Sequence, residues 1–206
     1  MNCLARVLGG QLRAPHGIAG RLLAHGMAKA NRVAVEQTIR AAEIGPEDAV
    51  LDLGCGGGEA LGLLRREAPR GYLFGVDHSP LMVDRARRIN PAADVRLVSF
   101  DALPFPDGSF DRILAINVAY FWYDASRMVA ELRRVLRPGG RIVVYFTDAV
   151  HLRRVGLATS GTHRLWTVDE MMALFGGRSG CIDIAASRHV AGHIVIFDEG
   201  TAKVTS

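Results

Sequence analysis

Two patterns of apolar residues alternate along the chain. Short continuous apolar runs predict seven buried strands, at Ala49–Leu53, Tyr72–Val76, Val95–Val98, Arg112–Ile116, Arg141–Phe146, Cys181–Ala185 and His193–Phe197. Between them, apolar residues recur at spacings of three and four, which predicts helices at Ala19–Ala42, Ala60–Glu67, Leu81–Ile89 (opened by Pro80), Ser126–Leu136 and Thr167 to about Phe175. Pro138, Gly139 and Gly140 are expected to close the fourth of these helices.

Strands that alternate with helices predict right-handed βαβ units and therefore an α/β fold. We expect a three-layer, doubly wound, Rossmann-like sheet of seven strands, mostly parallel, with Ala49–Leu53 central. The last strand is predicted to be antiparallel and to lie beside the fifth, because a short return needs no crossover helix. We expect one domain over residues 1–206, with a helical cap segment at 1–45 and an α/β core at 46–206.

Composition narrows the class of protein. The net charge of +4 comes mostly from arginines scattered over predicted helices, which is typical of solvated helix faces and argues against a nucleic-acid partner. Cys3, Cys55 and Cys181 are far apart, and the seven histidines show no metal-ligand spacing, so no metal site and a reducing compartment are predicted. The N-terminal apolar run is too short for a signal peptide or a transmembrane segment, and we expect a cytoplasmic protein.

A glycine-rich loop follows the first predicted strand, and its spacing discriminates between ligands. A dinucleotide-binding GxGxxG motif requires glycine or alanine where this chain has Glu59, whose carboxylate would repel a pyrophosphate. The alternative pattern, acid-x-Gly-x-Gly-x-Gly, is complete from Asp52 through Gly54 and Gly56 to Gly58. It suits a ligand with a cationic amino group, although a tight turn without a ligand is the simpler interpretation.

Two further carboxylates follow the next strands. Asp77 is placed to accept both hydroxyls of a ribose, or else Asp77 or Ser79 is the N-cap of the next helix. Asp101 is placed to accept a hydrogen bond from the exocyclic amine of a purine and the Ala102 N–H to donate one to the ring, although alone Asp101 is an ordinary turn residue. Together with the loop, these residues form a candidate adenosine site.

Four segments follow one another in an order and spacing that match a known family: VLDLGCGGG (Val50–Gly58), GVDHSPLMVDRA (Gly75–Ala86), DALPFPDGSFD (Asp101–Asp111) and ELRRVLRPGGRIVV (Glu131–Val144). They resemble the class I S-adenosylmethionine-dependent methyltransferases, specifically the small-molecule branch with the ubiquinone- and menaquinone-type enzymes. The resemblance extends from about Asn31 to Phe197 and implies S-adenosyl-L-methionine as the cofactor. It implies cofactor contacts for Asp52, Gly54, Cys55, Gly56, Gly58, Asp77, His78, Asp101, Ala102, Asn117 and Asn31.

The resemblance also implies the reaction, an in-line transfer of a methyl group to a small-molecule or lipid-like acceptor. Proximity and alignment supply most of the rate in such a transfer, and a general base is optional. Tyr120 and His151 are the foremost candidates for a base, followed by Tyr145 and His163. The aromatic run Tyr120–Tyr123 either stacks on a planar acceptor or packs in the core. A homodimer is compatible with this interpretation.

Three other functions remain open. The chain is alternatively a regulator or scaffold that binds adenosyl ligands without catalysis, since the residues of the acceptor site cannot be identified. An NAD-dependent oxidoreductase is disfavoured by Glu59. The Asn/Asp-Pro-Pro-aromatic motif of amino-directed DNA methyltransferases would fall at Asn117-Val118-Ala119-Tyr120, which lacks both prolines.

Overall fold

Strands and helices alternate in this computed structural model, which describes residues 32–100, 102–154, 164–176, 178–187 and 190–200. The strands are β1 (Ala49–Leu53), β2 (Tyr72–Asp77), β3 (Asp94–Leu97), β4 (Phe110–Ile116), β5 (Leu136–Thr147), β6 (Arg178–Ser187) and β7 (Val190–Asp198). The helices are α1 (described over residues 32–41), α2 (Glu59–Glu67), α3 (Pro80–Ile89), α4 (Ala125–Val135), α5 (Ala149–Arg154) and α6 (Val168–Phe175). A single 3₁₀ turn, Ala119–Phe121, follows β4.

All seven strands form one sheet, in the order β3-β2-β1-β4-β5-β7-β6. Pairing is parallel from β3 through β5, whereas β7 is antiparallel to both β5 and β6. The predicted antiparallel last strand beside the fifth is therefore confirmed. The strand at the middle of the order is β4, and β1, which was predicted to be central, lies next to it.

Alternate residues of the strands supply two hydrophobic cores, one on each face of the sheet. Leu51 and Leu53 pack on the face covered by α4 and α6, whereas Val50 packs on the face covered by α1, α2 and α3. Every residue of β1 is buried, as expected for a strand covered on both faces. The expected three-layer, doubly wound α/β architecture is confirmed.

Local sequence signals explain where the helices begin. Pro80 is the first residue of α3, where its missing N–H has no cost. Thr167 and Glu170 form the predicted capping box at α6, each side chain accepting from the backbone N–H of the other residue. Asp124 caps α4, its carboxylate accepting from the Arg127 N–H at 3.0 Å.

One predicted boundary is wrong. The sequence Pro138-Gly139-Gly140 predicted a turn between α4 and a strand starting at Arg141, but β5 begins at Leu136, directly after the helix. Leu136 pairs with Phe110, and the register then shifts before Arg141 pairs with Arg112. This bulge accommodates a proline, which cannot donate to the ladder, within an extended segment.

Candidate functional site

The loop between β1 and α2 brings backbone close to the carboxyl end of β2. Gly54 has a φ of +72°, and a Cβ there would lie 2.5 Å from Cγ2 of Val118, so only glycine fits. The Gly54 and Cys55 N–H groups both donate to the carbonyl of Val76, at 2.8 and 3.0 Å. Gly56 has a φ of +52°, and no described atom lies within 4 Å of where its Cβ would be. The loop therefore offers open space over Gly56.

Asp77 joins this loop to the next helix. One carboxylate oxygen accepts from the Gly56 N–H at 2.9 Å, and the other accepts from the Ser79 N–H at 2.8 Å. Of the two residues predicted as the N-cap of α3, Ser79 and not Asp77 occupies that position, and the Ser79 side chain makes no capping bond. A carboxylate has about four acceptor positions, which leaves Asp77 able to accept further hydrogen bonds.

A second carboxylate is buried beside the first. Asp52 is 2% exposed, and its Oδ2 has no hydrogen-bond partner among the described residues. Burial, and then the charges of Asp77 and Glu59, raise the pKa of Asp52 to about 7. Burial also raises the pKa of Asp77, partly offset by the two N–H groups that it accepts. Two buried carboxylates beside an open glycine loop favour a cationic ligand over an anionic one.

The remaining polar groups of the loop are neutralised or inert. Glu59, at the start of α2, forms an ion pair with Arg85 of α3. The thiol of Cys55 is buried, and burial together with the charges of Asp52 and Asp77 raises its pKa far above the ordinary value. Cys55 therefore remains a protonated, small loop residue and is not a nucleophile.

The predicted adenine contacts follow β2 and β3. The Nε2 atom of His78 is buried without a hydrogen-bond partner among the described residues, and the ring packs edge-to-face on Phe100 with centroids 5.6 Å apart. Ala102 is exposed, as a backbone donor to a ligand should be. Asp101 and Asn31 lie outside the described residues.

Asn117 follows β4 in a left-handed conformation, with a φ of +55°. Such a conformation is unusual for a residue other than glycine and is concentrated at functional sites. Its Oδ1 accepts from the Tyr120 hydroxyl at 2.8 Å and from the Thr147 hydroxyl at 3.1 Å. Its N–H donates to the carbonyl of Tyr145 at 2.9 Å. Asn117 is therefore held rigidly at the carboxyl edge of the sheet, between β4 and β5.

The aromatic run after β4 mostly belongs to the core. Tyr120 and Trp122 are buried, while Tyr123 is 75% exposed. The Tyr120 hydroxyl also accepts from the Thr147 N–H, and burial raises the pKa of this phenol well above the ordinary value. The packing interpretation thus describes Tyr120 and Trp122, and only Tyr123 offers a large ring to solvent.

The other candidate bases have different surroundings. Tyr145 is fully buried on β5, and burial raises its pKa. His151 belongs to α5, but its side chain lies outside the described part of the structure, as does all of His163.

A histidine that the sequence did not single out lies between two carboxylates. His193 on β7 has Nδ1 2.6 Å from Asp183 Oδ1 and Nε2 3.3 Å from Asp148 Oδ2. Cys181 lies two residues before Asp183 on β6. The only signal in the sequence was the predicted hairpin, whose register had to be known before these residues could be placed together.

The residues around the loop fit the methionine and ribose parts of S-adenosylmethionine. The buried Asp52 oxygen that lacks a partner and the carboxylate of Asp77 suit an ammonium group and ribose hydroxyls, and the open space at Gly56 admits a ligand close to the backbone. The sheet order, its antiparallel seventh strand and this loop define the class I S-adenosylmethionine-dependent methyltransferase fold. Residues 51–144 match the family model described as "Methyltransferase domain", and this segment belongs to that family.

Known proteins agree with this assignment. A demethylmenaquinone methyltransferase of Thermus thermophilus is 40% identical over 115 residues, which cover 51% of this chain and 51% of that protein. A chain from the solved complex between the Haloferax volcanii Trm112 methyltransferase activator and a methyltransferase superposes with a TM-score of 0.75 at 22% identity, covering 86% of this chain and 93% of that one. The Streptomyces coelicolor geranyl diphosphate C-methyltransferase superposes with a TM-score of 0.68 at 16% identity, covering 82% and 76%. The two structures establish the fold alone.

The alignments cover only part of each of these curated relatives. The aligned segments span 30% of one curated relative, 51% of another and 66% of a third. Within the part of the chain that the structure describes, no helix is both long and apolar enough to cross a bilayer.

Proposed function

We propose that this chain transfers the methyl group of S-adenosyl-L-methionine to a small-molecule or lipid-like acceptor. The observation that carries the proposal is the pair of buried carboxylates, Asp52 and Asp77, beside an open glycine loop. A pyrophosphate would be repelled there, whereas a ligand with a cationic amino group and a ribose finds a partner for each.

Different residues of the chain would contact different parts of the cofactor. Gly54, Gly56 and Gly58 let the backbone pass under the methionyl part, with Asp52 supplying negative charge beside it. Asp77 accepts from the ribose, while His78, Asp101 and Ala102 surround the adenine. Asn117 borders the methionine end, and Asn31 is proposed to close over the ligand. When bound, this cofactor supplies a methyl group on a sulfonium, which needs no further activation.

The contribution of the protein to the rate is then alignment and exclusion of water. Well-oriented reactants gain about 7–11 kcal/mol relative to reactants in solution. Tyr120 is better suited to holding Asn117 and the end of β5 than to accepting a proton, because its hydroxyl already binds Asn117 and Thr147. His151 remains the proposed base for acceptors that need deprotonation.

Two names among the related proteins support an apolar acceptor. The Thermus thermophilus relative is a demethylmenaquinone methyltransferase, and the Streptomyces coelicolor structure is a geranyl diphosphate C-methyltransferase. Tyr123 and Val150, which are 75% and 68% exposed, follow β4 and β5 at the carboxyl edge of the sheet. They offer apolar surface to such an acceptor.

Calorimetry and a transfer assay test the proposal. S-adenosylmethionine and S-adenosylhomocysteine should bind, whereas NADH should give no heat. Asp77→Asn should weaken adenosyl-ligand binding, whereas the matched control Asp84→Asn, an exposed carboxylate on α3, should leave it unchanged. Labelled methyl groups should then reach at least one acceptor in a panel of quinols, phenols, amines and thiols. Binding of NADH in place of the adenosyl ligands would refute the assignment, and ligand binding with no transfer would indicate a non-catalytic protein.

A further inference from the structure

The β6–β7 hairpin gathers three metal-ligating side chains on one face. Cys181 and Asp183 are two residues apart on β6, so they project to the same side of the strand. Asp183 pairs with His193 of β7, which places the imidazole beside the carboxylate. One ligand atom from each of the three residues lies within 4.8 Å of the other two.

A fourth residue orients the histidine. Asp148, directly after β5, has Oδ2 3.3 Å from His193 Nε2, and its Oδ1 accepts from the Val150 N–H at 2.7 Å. In metal sites, a ligating histidine typically donates its second N–H to a carboxylate, which fixes the tautomer. In the structure, which holds no metal ion, Nδ1 of His193 makes a hydrogen bond with Asp183 Oδ1 at 2.6 Å. With Nε2–H donated to Asp148, Nδ1 would exchange that hydrogen bond for a bond to the ion.

We propose that Cys181, Asp183 and His193 bind a zinc ion. The donor set of one sulfur, one nitrogen and one oxygen matches the preference of Zn²⁺. A thiolate and a carboxylate together balance the charge of the ion. Cys181 and Asp183 are exposed, so the fourth tetrahedral position faces solvent and is open to water or an external ligand.

The ion would act as a cross-link at the last two strands of the sheet. β6 is one of the two edge strands of the sheet and pairs with β7, and the ligands come from both of these strands. His193 also pairs with Phe146 of β5, near the carboxyl edge where Asn117 and Thr147 lie. Zinc would therefore stabilise the hairpin next to the candidate acceptor side, independently of methyl transfer.

Binding is accompanied by proton release. Zn²⁺ is bound by the thiolate form of cysteine and not by the thiol. When Zn²⁺ binds, an S–Zn bond forms, the S–H bond breaks and the proton leaves to solvent. No oxidant or reductant is involved.

The test uses the full chain, stripped of metal with a chelator and titrated with Co²⁺, which gives a thiolate charge-transfer absorption band when bound to cysteine. We expect one equivalent of Co²⁺ to produce this band and added Zn²⁺ to abolish it by competition. Cys181→Ser should remove the band and His193→Gln should weaken Zn²⁺ binding at least tenfold. Asp148→Asn should weaken it by about 10- to 100-fold, as for other residues that orient a ligating histidine.

Cys3→Ser is the control for a cysteine that is not among the three proposed ligands, and it should leave the band unchanged. Far-ultraviolet circular dichroism and S-adenosylhomocysteine affinity verify that each variant is folded, and Cys181→Ser is expected to fold because this side chain is exposed. Absence of the charge-transfer band in the unmodified chain, or its persistence in Cys181→Ser, overturns the proposal. Loss of methyl transfer with zinc binding intact would refute only the proposed function.

Discussion

Replacing Asp52 by asparagine removes the negative charge buried at the end of β1 while preserving the size of the side chain. Burial, followed by the charges of Asp77 and Glu59, raises the pKa of Asp52 from 3.8 to about 7. At about 1.4 kcal/mol for each pKa unit, the shift corresponds to about 4 kcal/mol of unfolding free energy. This is the free energy by which an ionised Asp52 destabilises the ligand-free protein.

The sign of the effect follows from proton binding. The folded protein holds the Asp52 proton more tightly than the unfolded chain does, so the stabilising contribution is present below about pH 4 and is lost as the pH rises to about 7. The free energy of unfolding of D52N should lack this decline and should exceed that of the unmodified protein at pH 8 by up to about 4 kcal/mol. Urea denaturation between about pH 5 and pH 8 measures the difference.

The same charge should couple ligand binding to a proton. A cationic group beside Asp52 favours the carboxylate, so binding near pH 6 should release a proton in the unmodified protein and none in D52N. Calorimetry in two buffers of different ionisation enthalpy detects this release. D52N should also bind S-adenosylmethionine at least tenfold more weakly, about 1.4 kcal/mol.

Asp84→Asn, on the exposed side of α3, is the matched control and should follow the unmodified protein in every measurement. Parallel stability curves for D52N and the unmodified protein, or equal ligand affinities, would show that Asp52 is not an ionised group beside the ligand.

Three further substitutions test the site. Asp77→Asn should weaken S-adenosylhomocysteine binding at least tenfold, about 1.4 kcal/mol, and also lower the melting temperature, since Asp77 holds the loop; unchanged affinity would contradict the ribose contact. Gly54→Ala should lower the free energy of unfolding by about 1–3 kcal/mol through overpacking against Val118, in addition to backbone strain. A denaturation midpoint equal to that of the unmodified protein would contradict the loop geometry. Tyr120→Phe should lower the free energy of unfolding by about 1–3 kcal/mol, because the Thr147 N–H loses its acceptor, and denaturation measures this loss. A fall in the methyl-transfer rate of about 10²- to 10⁴-fold would instead identify Tyr120 as the base.

Much of the fold could be predicted because the interior strands of its sheet are buried on both faces. In β1 all five residues are buried, so the apolar run marks the strand without ambiguity. Pro80 and the Thr167–Glu170 pair mark helix starts through short-range chemistry that needs no tertiary information. The start of β5 could not be predicted in this way, because the pairing of Leu136 with Phe110 across a bulge depends on a contact distant in sequence.

In the candidate site, too, features with a local sequence signal could be predicted and those that depend on distant contacts could not. The glycine loop and Asp77 could be recognised because positive φ and a strand-end carboxylate leave local signatures. The burial of Tyr120 could not be predicted, because the sequence of an aromatic run does not distinguish core packing from contact with a ligand. The cluster around His193 depends on the hairpin register, which pairs Asp183 with a residue ten positions later.

The position of β7 has a consequence for assembly of the chain during synthesis. β6 leaves the ribosome before β7, yet β6 contacts the sheet only through β7, which lies between it and β5. β6 therefore has no docking edge of its own when it emerges, and β5 remains an unpaired, aggregation-prone edge until β7 arrives. β6 can join the sheet only together with β7 or after it, so the docking of these two strands completes the sheet.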